Sequence, residues 1–488
     1  MPNVQEILNL ASDLSERDKK LIAKAYDFAE KAHEGQKRMS GEPYFIHPFE
    51  TAKNIARLGM DAKTISAGLL HDVMEDANVT KESMDRNFGE EITFIVEGVT
   101  KLGKLKYRGH ERHVESLRKF FLAMTNDLRV VVVKLADRLH NLRTLQYVRE
   151  DKRKRIALEA IEVYAPLADR LGMGRLKGDL EDAAFPFAYP KEYAEVQELI
   201  KGKKEIYEKN LNEFRSALEG ELKANKIKAE ITYRLKHNYS IWRKLLKHDM
   251  DIEKIYDIVA LRVVVDTVEE CYRILGIVHS LWRPLLGRIK DYIAVPKPNG
   301  YRSLHTTVFT GSGGIAEIQI KTKKMHQEAE YGIAAHFTYK EGDKKSPLDK
   351  KSKFKWIEEL KAFNYAPEEP KKFLENLKTD FFSDRIFIFT PKGDVIDLPE
   401  NSSPVDFAYA IHSDIGDHIS GVKINGKMSQ ILSKLKNGDI VEIIAKKDAH
   451  PSGKWLDHSR TNIARKHVRS YLEKNSLLAK LKSLGRGK

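Results

Sequence analysis

The run Ile255-Tyr256-Asp257-Ile258-Val259-Ala260-Leu261-Arg262-Val263-Val264-Val265 limits the fold more than any other stretch of this chain. It is near-continuously apolar and rich in β-branched residues, so it reads as a buried strand with Asp257 at its start. A second strand, Ala316 to Thr322, alternates cleanly: Glu317, Gln319 and Lys321 share one face, and Ile318 and Ile320 the other. An acid on each of two strands, facing a basic loop, suits Mg²⁺-assisted nucleotidyl or pyrophosphoryl transfer.

That basic loop lies between them, from Arg288 to His305, around Pro296-Lys297-Pro298-Asn299-Gly300-Tyr301. Its prolines stiffen the backbone and Asn-Gly is a turn signal. Arg288, Lys290, Lys297, Arg302 and His305 are placed to converge on polyphosphate, and Tyr301 offers a flat face to a purine. Taken alone, a surface turn with solvated cations explains the loop equally well. Upstream, Arg234, Lys236 and Lys244 form a second cationic set, which a basic helix face would also produce.

Residues 1 to about 195 carry 3.6-type apolar spacing and read as helical almost throughout. His33 to Arg38 leads into His47-Pro48, with the proline in the first turn of a helix and His47 at its mouth. In His71-Asp72-Val73-Met74-Glu75-Asp76, a helix puts His71 one turn from Glu75 and Asp72 one turn from Asp76. Asp137 and Asn141 likewise share a face. Two histidines and two aspartates make a sulfur-free metal site, suited to Mn²⁺, Fe²⁺ or Zn²⁺. A single His-Asp pair is more often a cap or a surface arrangement; four ligands in order, with two acids behind them, shift the balance.

These residues resemble the long RelA/SpoT homologues, the guanosine tetra- and pentaphosphate (alarmone) enzymes of the stringent response. The resemblance implies that His47, His71, Asp72 and Asp137 hold Mn²⁺ in an all-helical HD-type hydrolase domain. Glu75 and Asp76 would activate water, Arg38 would stack on guanine, and Asn141 would contact the nucleotide. Members that have lost hydrolysis replace the His-Asp ligands, which are intact here. Met39 departs from the lysine or serine common after that arginine.

The second half resembles the family's nucleotidyltransferase-like, mixed-sheet synthetase domain. By that resemblance Arg234, Lys236 and Lys244 contact ATP, Asp257 binds Mg²⁺, and Tyr301 stacks on the acceptor guanine. Lys297, Asn299, His305 and Gln319 are neighbouring nucleotide contacts, and Glu317 takes the proton of the 3′-hydroxyl. Arg288 and Lys290 belong to the basic pattern of bifunctional members. Tyr233-Arg234-Leu235 replaces the common Gly-Arg-Pro, and Lys321 stands where arginine is usual.

Further on, Arg385 to Thr390 and Val395 to Leu398 flank Pro391-Lys392-Gly393-Asp394, a hairpin pattern. Phe407 to His412 opens a helix, and Gly438 to Ile444 ends in a strand. This stretch resembles the TGS domain, a β-grasp module, with His412 a candidate RNA contact or, on the plainer reading, a capping or packing histidine. From Lys446 to Lys488 there are 12 Lys and Arg against 3 Asp and Glu, so a net +9 of the chain's +14 sits in the tail. Contact with RNA and a merely solvated helix account for it equally.

At 488 residues the chain has room for roughly three or more domains. The expected organisation is multidomain, α and α+β: residues 1–195 hydrolase, 196–340 synthetase, 341–383 charged linker and helix, 384–447 TGS, and 448–488 basic helical tail. One cysteine, Cys271, excludes an internal disulfide and a thiolate-rich zinc site within one chain, which fits a reducing cytoplasm. The resemblance also leads us to expect a chain without the zinc-finger and ACT-type regulatory parts of long members. Neither a signal peptide nor a bilayer-spanning run is expected.

The expected activity is therefore twofold: pyrophosphate transfer from ATP to the 3′-hydroxyl of GDP or GTP, and hydrolysis of the 3′-pyrophosphate of the product. Two alternatives stay open at this point. One is a hydrolase with a silent synthetase domain. The other is a tRNA- or ribosome-binding regulator acting through the TGS module and the basic tail.

Overall fold

In the computed structural model, residues 2–484 are described except 12–13, 101–123, Thr125, 202–203, Tyr256, Pro298, 311–313, 338–378 and 380–384. The expected linker from Glu341 and the helix around Trp356 lie outside these residues. The chain divides into two units, residues 1–366 and 367–488.

The first unit begins as packed helices. Ser15 and Asp18 form a capping box at the start of helix Glu16–Ala32, whose Ile22, Ala25, Tyr26 and Ala29 recur at helical spacing and are buried. Asp61 caps helix Ala62–Leu70 by accepting from the Thr64 amide at 2.8 Å. Helix Arg129–Arg143 contains four consecutive valines, Val130 to Val133, all fully buried. Their β-branched run favours strand locally, so packing on every side decides in favour of helix.

The expected single helix through His71 and Asp76 is instead broken. Helix Ala62–Leu70 ends at His71, and a short helix, Val73–Asp76, follows Asp72. The Asp76 amide still donates to the Asp72 carbonyl at 2.8 Å, so the one-turn spacing survives the break.

Helix Gly174–Ala188 leads from these helices to a five-stranded sheet of order β1-β2-β5-β4-β3. The strands are β1 Glu230–Leu235, β2 Val259–Val265, β3 Lys290–Asp291, β4 Leu304–Phe309 and β5 Ile315–Thr322. Only β2 and β5 run parallel. The buried run expected around 255–265 is β2, but Asp257 lies two residues ahead of it.

The registers sort the two faces. Leu261, Ile318 and Thr306 are cross-strand partners on one face, and there His279 from helix Val268–Leu281 meets Thr306 at 2.8 Å. On the other face Arg262, Gln319 and His305 form a row across β2, β5 and β4, with Glu317 one pleat along between Ala260 and Thr307. One side of the sheet is therefore core and the other a polar surface.

In the second unit β6 Arg385–Phe389 and β7 Val395–Pro399 form the expected hairpin. A parallel bridge from Phe389 to Ile440 joins it to a sheet of β8 Ile419–Ile424, β9 Lys427–Ser429 and β10 Val441–Ala445. Ile388, Phe407 and Val422 centre the core. Helix Pro404–Ile411 packs through Val405, Ala408 and Tyr409 against Ala464 and Val468 of helix Asn462–Leu484. The basic tail is thus anchored by an apolar stripe. No described helix is long and apolar enough to cross a membrane.

Candidate functional site

The helical part of the first unit gathers His47, His71, Asp72 and Asp137. His47 is the second residue of helix Ile46–Arg57, with Pro48 beside it in the first turn. Its Nε2 lies 3.2 Å from His71 Nε2, 3.2 Å from Asp137 Oδ1 and 3.5 Å from Asp72 Oδ2. His71 Nε2 is 3.2 Å from Asp72 Oδ1. His47, His71 and Asp137 are buried and offer ligand atoms within 4.8 Å of one another.

The hydrogen bonds behind these rings settle their tautomers. His71 Nδ1 donates to the Gly68 carbonyl at 2.8 Å, which makes Nε2 the bare nitrogen of the neutral ring. His47 Nδ1 lies 2.8 Å from His140 Nδ1, and Arg38 reaches that same His140 atom at 3.1 Å. A guanidinium can only donate, so His140 Nδ1 accepts, His47 carries its proton on Nδ1, and His47 Nε2 is bare. Two bare imidazole nitrogens and two carboxylates in van der Waals contact repel one another unless a cation sits among them. The donor set therefore fits a divalent metal.

Burial alone would raise the Asp137 carboxyl, but the Lys134 ammonium at 2.8 Å and the His47 ring hold it well below the usual range. His140 is pushed down to about 3 by burial, with His47 and Arg38 adding to the effect, and stays neutral. Sequence reasoning passed over His140 because a histidine inside Asp-Arg-Leu-His-Asn carries no signal of its own; only contact with His47 on another helix and Arg38 in a loop gives it a role.

Around the cluster, the Tyr44 hydroxyl reaches Asp76 Oδ2 at 2.6 Å and Asp72 Oδ2 at 3.0 Å. Asp76 is exposed and Glu75 half-buried at the rim. Arg38 also donates to Asn141 Oδ1 at 2.8 Å, and Asn141 donates to Asp137. These contacts thus join Arg38, His47, His71, Asp72, Asp76, Asp137 and Asn141, while Glu75 precedes Asp76 in the short helix Val73–Asp76.

A second site lies on the polar face of the five-stranded sheet. A cavity of about 420 Å³ is lined by Arg234, Lys297, Asn299, Tyr301, His305 and Lys321, among others. Lys297 sits over the rings of Tyr292 and Tyr301, 4.7 and 5.2 Å from their centroids. Lys321 is 1% exposed, and burial, with Arg234 and Arg262 close by, lowers it to about 7. A buried cation beside an aromatic ring favours a polyanionic, planar ligand.

Beside the cavity, Asp257 accepts from both Lys236 and Lys244. Burial would raise this carboxyl, but the two ammonium groups outweigh it and hold it at about 2. Lys236, buried next to Lys244, is itself lowered to about 8. The expected phosphate-binding set is thus partly turned onto Asp257, and Arg234 reaches Gln319 at 3.1 Å. Arg302 pairs with Glu328, which lines the cavity, at 2.8 Å, while Arg288 and Lys290 are exposed and are not among the lining residues. In the second unit, exposed His412 accepts from the Asp414 amide at 3.2 Å, the capping arrangement.

Comparison with known proteins matches residues 25–174 to the HD domain, 233–344 to the region found in RelA / SpoT proteins, and 386–445 to the TGS domain. The chain is 47% identical over 454 residues to guanosine-3′,5′-bis(diphosphate) 3′-pyrophosphohydrolase of Aquifex aeolicus, covering 93% of this chain and 64% of that protein. It is 44% identical over 461 residues to GTP pyrophosphokinase of Myxococcus xanthus, covering 93% and 61%. It is 42% identical over 461 residues to the bifunctional (p)ppGpp synthase/hydrolase SpoT of Escherichia coli, covering 94% and 66%. The chain spans less than two thirds of the length of these curated relatives.

Proposed function

Because the chain belongs to the RelA/SpoT family, we propose that it is a bifunctional alarmone enzyme, with a hydrolase site in residues 1–195 and a synthetase site in residues 196–340. What supports this most is that one unit holds two separate sites of opposite character. One is a His/Asp donor set with both Nε2 atoms bare, and the other an acid on a strand beside a cationic, aromatic cavity.

At the hydrolase site His47, His71, Asp72 and Asp137 would hold a divalent cation, in our reading Mn²⁺. When bound, such a cation supplies Lewis acidity and offsets phosphate charge. Arg38, held by Asn141 and His140, presents its guanidinium plane to the guanine base. Asp76 and Glu75 at the rim orient the attacking water and accept its proton, and Tyr44 keeps Asp76 aimed at the cluster. The bond broken joins the 3′-oxygen to the pyrophosphate, which leaves with the water oxygen.

At the synthetase site Tyr301 stacks on the acceptor guanine, and Lys297, Asn299, His305, Gln319, Arg288 and Lys290 contact the nucleotides. Arg234, Lys236 and Lys244 hold the ATP polyphosphate, and Asp257 would hold Mg²⁺, which would offset the charge of the phosphates. Glu317 accepts the proton of the 3′-hydroxyl as its oxygen bonds to the β-phosphorus of ATP and AMP departs. The TGS module and basic tail would contact tRNA or the ribosome, with His412 as one contact, and the protein would work in the cytoplasm.

The test uses the purified chain with ATP, GDP and Mg²⁺, then with guanosine tetraphosphate and Mn²⁺, following nucleotides by anion-exchange chromatography. Glu317→Gln should abolish synthesis and spare hydrolysis, and His71→Ala the reverse. Hydrolysis without synthesis would leave a one-way hydrolase.

A further inference from the structure

Two lines of polar contacts run across the polar face of the sheet and end on the same atom; all steps are hydrogen bonds except the last of the second, a 3.5 Å approach of His305 to Glu317. In the first, Arg234 donates to Gln319 Oε1 at 3.1 Å and Gln319 Nε2 donates to Glu317 Oε1 at 3.0 Å. In the second, Lys321 Nζ donates to the Tyr301 hydroxyl at 3.2 Å, that hydroxyl lies 2.7 Å from His305 Nε2, and His305 Nδ1 faces Glu317 Oε1 at 3.5 Å. Each line starts at a basic side chain, Arg234 or Lys321, and passes through neutral groups to the carboxylate.

Donor chemistry sets the direction of the second line. With its oxygen accepting from Lys321, Tyr301 turns its own proton to His305 Nε2. His305 is then the Nδ1–H tautomer, and the proton it carries points at Glu317. Burial pushes the Tyr301 hydroxyl up to about 12, so it keeps the proton it donates. Burial, with Lys321 and Lys297 nearby, keeps His305 well below the usual imidazole range, so it stays neutral and its Nε2 can accept. Among the described residues no hydrogen bond reaches Glu317 Oε2.

We propose that Lys321, Tyr301 and His305 are positioning residues that hold Glu317 Oε1 from one side while Arg234 and Gln319 hold it from the other, leaving Oε2 to take the 3′-hydroxyl proton. Tyr301 then has two separable parts: a ring that binds the acceptor base and a hydroxyl that orients the base of the reaction. Lys321 in place of a guanidinium suits the role, because one ammonium aims a single donor at the hydroxyl from beneath the ring, 4.9 Å from its centroid. This inference rests on the reading of Glu317 as the base for synthesis.

Tyr301→Phe keeps the ring and removes the hydroxyl, so it separates the two parts. In the full chain, with hydrolysis of tetraphosphate as the check on folding, we expect KM for GDP to hold while kcat of synthesis falls about tenfold or more. His305→Asn, which keeps a donor near the Nδ1 position, should retain more kcat than His305→Leu. A Tyr301→Phe kcat within about twofold of the parent, whatever happens to KM, overturns the proposal. Synthesis by Glu317→Gln would instead remove the reading on which it rests, and the two failures are thereby distinguished.

Discussion

A Cβ on Gly178 would sit 2.1 Å from Nε2 of His237, closer than real side chains approach. Gly178 lies in helix Gly174–Ala188, which packs against helix Arg129–Arg143 and also against helices Asn238–Leu245 and Lys323–Tyr331. His237 follows β1 and is fastened to the same helix by Asp182 at 3.1 Å. The absent side chain lets the helix that borders the cavity on the polar face of the sheet close onto the end of β1.

Gly178→Ala should therefore destabilise the first unit by about 1–3 kcal/mol, the usual effect of overpacking a tight contact. Chemical denaturation of the full chain checks the size. On the proposed assignment of the two sites, synthesis should fall more than hydrolysis, since the displaced ring lines the cavity on the sheet.

The His237–Asp182 pair also sets a pH dependence. Burial would lower the His237 imidazole, but the hydrogen bond and charge of Asp182 outweigh it, and its pKa rises above the ordinary 6.5. A group raised on folding contributes stability that is full below the unfolded value and is lost as pH climbs through the folded one. Stability should thus decline from about pH 6.5 upward by a component that Asp182→Asn removes, as urea titrations at pH 6 and pH 8 would show.

His140 should behave as a support for His47 in its proposed role as a metal ligand. His140→Phe removes the acceptor shared by His47 and Arg38, and loss of such a partner typically costs about 10–100-fold in metal affinity or activity. His140→Asn places an oxygen near the Nδ1 position and should recover part of the loss. Metal titration followed by hydrolysis rate reads both variants.

Removing the metal should destabilise the first unit as well as stop hydrolysis. A cation at 100 times its dissociation constant stabilises the folded state by about 2.7 kcal/mol. Addition of Mn²⁺ to chelator-treated protein should raise Tm, and His47→Ala or His71→Ala should abolish that rise. An equal rise in those variants would place the binding elsewhere.

In the second unit, the Asp406 carboxylate is fully buried and accepts from the Ser403, Arg460 and Thr461 amides at 2.8, 2.9 and 2.7 Å. Asp406→Ala should destabilise this unit by about 1–3 kcal/mol for each amide left buried and unpaired. Limited proteolysis should then cut near Ser459 sooner than in the parent.

Sequence alone reached the element types and the chemistry of single positions. The period of 3.6 through the first 195 residues, the alternation of Glu317, Gln319 and Lys321, and the Pro391 to Asp394 turn are local patterns. They follow from how successive side chains leave the backbone, and the described structure carries all three. The same holds for His47 at a helix mouth and Asp72 one turn before Asp76, since a hydrogen bond between near neighbours sets that spacing.

What only the tertiary structure decided is which groups meet and in which protonation state. His140 matters because Arg38, from a loop a hundred residues away, shares its Nδ1 with His47. Lys236 and Lys244 grip Asp257, and Arg302 pairs with Glu328, because docking of helices onto the sheet brings charges together that no spacing links. Glu317 becomes an oriented carboxylate only where three strands align Arg262, Gln319 and His305 in register. The physical reason is common to all of these: a proton's position depends on the partners within about 3 Å, and in a folded chain those partners come mainly from distant sequence.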